Sequence, residues 1–87
     1  MREEDLSPYE RGVRRNVALE VVVIRDDGTS STVEMTDISR DGCQLRTQTE
    51  FEVGETITID HEVLGKIPGQ VRWMCAGRAG LKFVRPL

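Results

Sequence analysis

From Val17 to the C-terminus, short runs of alternating apolar residues are separated by clusters of Gly, Asp, Ser and Pro, six runs in all. A period of two places successive side chains on opposite faces of a strand, so each run can bury one face. No stretch carries the 3.6-residue apolar period of a long amphipathic helix. Six short strands at close spacing, with turn residues between them, predict an all-β sandwich or barrel. Closure into a barrel has the further advantage of leaving no edge strand exposed.

The first run, Val17–Arg25, is rich in β-branched residues and places Leu19, Val21 and Val23 on one face. Asp26–Gly28 then reads as a hairpin turn, because Asp caps turns and Gly tolerates positive φ. Thr32–Ile38 follows, with Val33 and Met35 inward, and then Cys43–Thr47, with Cys43, Leu45 and Thr47 on one face. Phe51–Gly54 reads as a turn into Glu55–Asp60, where Ile57 and Ile59 point inward. His61–Gly69 reads as a loop or irregular edge, since Pro68 has no N–H to give to a ladder. Gln70–Cys75 alternates through Val71, Trp73 and Cys75. Ala76–Arg78 turns the chain, and Ala79–Val84 closes it with Leu81 and Phe83 inward. Residues 1–16 are polar, charged and irregular, and read as a flexible N-terminal segment ahead of a domain at 17–87.

With 87 residues the chain makes one small domain with a thin core, too small for a cleft between lobes. Any ligand therefore sits on the outside of the domain or under its N-terminal segment. The net charge of −3 lacks the overall positive field of a general nucleic-acid binder. Cys43 and Cys75 fall inside apolar runs and read as buried free thiols, not a disulfide framework or a zinc site. The N-terminus lacks the apolar core of a signal peptide, and no run is long enough to span a membrane, which predicts a cytoplasmic protein.

The sequence gives little support to catalysis. His61 is the only histidine, and no Ser–His–acid grouping surrounds it. Asp37 and Asp41 do not have the spacing of a calcium loop, so no metal site is expected. Two features carry more chemistry. Arg11, Arg14 and Arg15 stand together just before the first strand, and a guanidinium can hold phosphate through paired bonds or grip and stack on guanine. The junction Asp37–Gly42 supplies an acceptor in Asp37, a donor and acceptor in Ser39, and in Gly42 a residue that permits close approach. Each feature also has a plain explanation, as solubilising charge and as an ordinary turn.

Taken together, Arg11 and Arg15, separated by three residues, and Asp37, Ser39 and Gly42, between the second and third strands, resemble the two motifs of the PilZ domain. That family comprises bacterial receptors for cyclic di-GMP. The ending Gly69–Val84 is similar to the family's last two strands, including the Gly80 and Phe83 positions, and the resemblance covers about residues 10–85. It implies a six-stranded antiparallel barrel that takes cyclic di-GMP on its outer surface without catalysis. By the same resemblance, Arg11 and Arg15 contact phosphates and guanines, with Arg14 as an auxiliary contact. Asp37 and Ser39 read guanine, and Gly42 preserves the turn and leaves room for the base. The expected output is ordering of the N-terminal segment and recognition by an effector protein, with no nucleic-acid partner and no membrane insertion. The competing expectation is a protein-interaction adaptor of the same fold that does not sense nucleotide. Relatives often continue into a helix or a second domain, so a chain stopping at Leu87 reads as a minimal receptor or as one domain of a larger protein.

Overall fold

The computed structural model describes residues 14–87. Six strands follow one another along the chain: β1 (Arg15–Arg25), β2 (Ser30–Ile38), β3 (Gly42–Arg46), β4 (Thr56–His61), β5 (Gly65–Cys75) and β6 (Arg78–Phe83). They close into an antiparallel barrel in the order β1-β2-β3-β6-β5-β4, with β4 returning to pair with β1. The alternating apolar residues meet inside it. Val21, Val23, Met35, Leu45, Ile59 and Val71 are all at most 1% exposed. The fold class expected from the alternation and from the family resemblance is the one observed.

Turn chemistry explains the hairpins. Gly28 has φ 88°, and its N–H donates to the Arg25 carbonyl at 2.9 Å. Asp27 accepts from the Thr29 hydroxyl at 2.7 Å and the Thr29 N–H at 2.9 Å, and the hydroxyl contact leads in holding its carboxyl below the ordinary value. Ala76 and Gly77 both have positive φ, 48° and 78°, between the paired residues Cys75 and Arg78. Positive φ at both central residues matches the right-handed twist of the flanking strands. Arg78 is therefore the first residue of β6 and not the last of the turn.

The link between β3 and β4 is held down by charge. Nε and Nη2 of Arg25 each donate to Glu55 at 2.8 Å, and the Glu52 N–H donates to the same carboxylate at 2.8 Å. The guanidinium lies 5.4 Å from the centre of the buried Phe51 ring. The hydrogen bond from Arg25 is the main cause of the lowered carboxyl pKa of Glu55, and it likewise raises that of Arg25.

Two expectations are corrected. Residues 65–69 are strand and not loop: β5 starts at Gly65 and pairs with β4 through Ile59↔Ile67 and Thr58↔Pro68. Pro68 is tolerated because its carbonyl accepts from the Val84 N–H at 3.0 Å, on the side away from β4 and past the end of β6. The N–H that proline lacks would have pointed the same way, so no bond to β4 is lost. The second correction concerns the inward positions of β5. A register shift between Val71 and Trp73 reverses the alternation. Val71 is buried, but Trp73 is 40% exposed, Met74 packs against the core, and Cys75 faces solvent. Of the two thiols only Cys43 is buried, and desolvation pushes its pKa up to about 12.

Candidate ligand-binding site

The antiparallel register of β1 and β2 decides which ends of the chain meet. Arg15 lies opposite Ile38 and Asn16 opposite Asp37, so the start of β1 abuts the end of β2. The Arg14 guanidinium donates to Asp37 Oδ1 at 2.8 Å. Asp37 retains only 14% of its side-chain exposure, whereas Arg14 is 55% exposed. Two candidates 23 residues apart in sequence are thus in direct contact. Arg15 is exposed on the first residue of β1. Arg11 lies outside the described residues.

The turn after β2 is internally closed. The Ser39 N–H donates to the Gly42 carbonyl at 2.8 Å. Ser39 Oγ accepts from the Asp41 and Gly42 N–H groups at 3.2 Å each, and its hydroxyl donates to the Gly42 carbonyl at 3.3 Å. A serine hydroxyl so engaged, at 8% exposure, fixes the shape of the turn. Gly42 is required for a separate reason. A Cβ at this position would stand 2.1 Å from the Leu81 carbonyl oxygen on β6, so β3 and β6 approach closely only because the side chain is absent. From the other side the chain's end braces the turn. The Phe83 N–H donates to the Asp41 carbonyl at 2.7 Å and the Leu87 N–H to the Arg40 carbonyl at 2.8 Å.

Beside this turn runs a shallow groove of about 360 Å³, with Arg14, Ser39, Asp41 and Gly42 at one side and Arg72, Trp73, Gly80 and Lys82 at the other. The Trp73 indole covers Gly80: a Cβ there would come 2.1 Å from the indole Nε1. The bulge that turns Trp73 outward therefore places an aromatic face among three cationic side chains, Arg14, Arg72 and Lys82. Sequence alternation did not bring Trp73, Arg72 and Lys82 to this groove, because it assigned Trp73 to the core. The one usable signal was Gly80, a strand glycine with no turn to make, which marks a close approach by something flat.

The described residues thus form a small antiparallel β-barrel with a polar groove, flanked by cationic side chains, on its outside. The model of the PilZ domain family matches residues 9–87, and the chain belongs to that family. Membership ties it to cyclic di-GMP signalling and makes it a non-catalytic receptor or adaptor domain. No curated protein matches the sequence. Among the described residues no helix is long and apolar enough to cross a membrane.

Proposed function

We propose that this chain is a receptor for cyclic di-GMP that works by closing its N-terminal segment over the bound ligand. The observation that carries the reading is the Arg14–Asp37 contact with the Arg15↔Ile38 register, which supports convergence of the arginine segment and the strand junction on one small anion. In this reading Arg11 and Arg15 hold phosphates and guanine, and Arg14 assists. Asp37 accepts from guanine ring nitrogens once Arg14 turns to the ligand. Ser39 and Gly42 keep the turn in register with β6, with Ser39 at the edge of the guanine site. Trp73 offers a stacking face, since base–aromatic stacking contributes about 1–3 kcal/mol per base.

Charge-assisted bonds, at about 1.5–3 kcal/mol each, must exceed the roughly 1–2 kcal/mol lost for each backbone residue fixed. Several arginine contacts meet that condition and one does not. A protein bearing a net charge of −3 overall is compatible with a doubly anionic ligand, because the field that matters is local. Closure of the segment that precedes β1 against the barrel then changes the surface offered to an effector protein. Isothermal calorimetry tests the arginine roles. Arg11→Ala and Arg15→Ala should each abolish or sharply weaken cyclic di-GMP binding while the circular dichroism of the barrel is kept. Unchanged affinity in both variants would remove the arginines from the site.

A further inference from the structure

On the outside of the barrel, away from the turn after β2, four charged residues stand in one cross-strand row. Glu20 on β1 lies opposite Glu34 on β2, Glu34 opposite Arg46 on β3, and Arg46 opposite Arg78 on β6. All four line a single shallow groove of about 950 Å³, which makes them accessible from one side. Their order along the row is acid, acid, base, base. Only the central pair is joined, Arg46 Nη1 donating to Glu34 Oε1 at 3.2 Å. Glu20 and Arg78 are exposed, and neither has an ion-pair partner among the described residues.

Like charges directly opposite one another on neighbouring strands destabilise a sheet. This row contains two such pairs side by side, so within one molecule it is poorly arranged. The residues around it, including Ala18, Thr32 and Gln48, carry no charge that would offset either end. The arrangement has one property that a random solvated face does not. Turned by a two-fold axis that runs along the strands and passes between Glu34 and Arg46, the row becomes its own electrostatic complement. Glu20 then faces Arg78 of the second copy, Glu34 faces Arg46, and both relations occur twice by symmetry. A two-fold axis along the row instead would set acid on acid and base on base.

We propose that this face is a self-complementary docking surface whose occupant is a second copy of the same chain. The inference stands apart from the nucleotide-receptor reading, since none of the four residues belongs to that groove. The row spans three strand spacings, about 14 Å, so the contact is small beside the roughly 1,200–2,000 Å² of a stable interface. Association is therefore weak, governed by charge and screened by salt.

The test is sedimentation equilibrium and NMR rotational correlation time on the full chain, without nucleotide, at concentrations up to about 1 mM and at two salt levels. The wild type should self-associate at low salt and dissociate as salt rises. Glu20→Arg alone, or Arg78→Glu alone, puts like charges together at both ends of the contact. Each variant should lose association by about tenfold or more, because two attractions become two repulsions. An equimolar mixture of the two variants restores opposite charges at both ends, and should associate as the wild type does. Glu20→Gln and Arg78→Gln give smaller losses in the same direction and decide the matter if a reversal fails to fold. A wild type that stays monomeric at low salt overturns the proposal. So do variants that associate unchanged, or a mixture that does not recover.

Discussion

Replacing Gly42 by alanine tests the account of why the turn after β2 has the form it does. The added methyl would sit 2.1 Å from the Leu81 carbonyl oxygen, a backbone atom that cannot rotate away. Restoring an ordinary contact requires β3 and β6 to part by about 1 Å at the Gly42↔Lys82 pair. That movement weakens one or two ladder hydrogen bonds, each contributing about 0.5–1.5 kcal/mol, and adds the roughly 1–3 kcal/mol typical of overpacking. The sum is about 1.5–6 kcal/mol, and because the bonds are weakened and not lost the central value is near 3. A chain of 87 residues has about 4–13 kcal/mol of stability in total, so the loss is a large fraction. At about 4–8 °C per kcal/mol the central value lowers Tm by about 12–24 °C. Thermal and urea unfolding followed by circular dichroism measure it. Gly28→Ala is the control: it has φ 88° and nothing within 4 Å, so it carries only a backbone penalty of about 1–2 kcal/mol. If Gly42→Ala proves no more destabilising than Gly28→Ala, the close-approach explanation is wrong.

Trp73 is the single tryptophan, so its fluorescence reports the groove without labelling. Titration with cyclic di-GMP should shift or quench it, and Trp73→Ala should weaken binding at least about fivefold by loss of stacking; an unaltered Kd would remove it from the site. The Glu55 carboxyl is held below its reference value of 4.5 in the folded chain, so its stabilising contribution is complete above that value. As pH falls from about 4.5 through the lowered folded pKa, that contribution is lost. The stability gap between wild type and Glu55→Gln in urea should therefore narrow on acidification from pH 7 to pH 3, and a constant gap would contradict the Arg25–Glu55 assignment. Burial pushes the Cys43 thiol up to about 12, whereas Cys75 is exposed. A thiol reagent at pH 8 should modify one cysteine in the native chain and both in denaturant, and rapid reaction of both would place Cys43 wrongly.

Much of the architecture could be read from alternation, because a thin barrel has one buried face and a period of two exposes it. Val21 and Val23, Met35, Leu45, Ile57 and Ile59 are all buried as their positions required. The failures occur where backbone geometry overrides the pattern. A bulge near Arg72 inverts the rest of β5, which sent Trp73 and Cys75 to the wrong face, and no residue type in Gln70–Cys75 announces the extra residue. Pro68 argued against a strand because a missing N–H is normally costly, but which side of a ladder it faces depends on register, which the sequence does not state. At the candidate site, the order of Arg14, Arg15 and Asp37 in the chain gave no distance between them. The β1–β2 register supplied it. Gly42 was legible as a constrained position, although the constraint lies in the approach of β6, a strand nearly 40 residues further on.

The most direct measurement is an amide NMR titration of the full chain with cyclic di-GMP. The receptor reading requires one saturable set of shifts that includes Arg11–Arg15, Asp37–Gly42 and the Trp73 indole together, because these groups enclose the same ligand. Spectra that stay unchanged at millimolar nucleotide, or that move at only one of these regions, would contradict it and leave a PilZ barrel that serves as an adaptor without sensing the nucleotide.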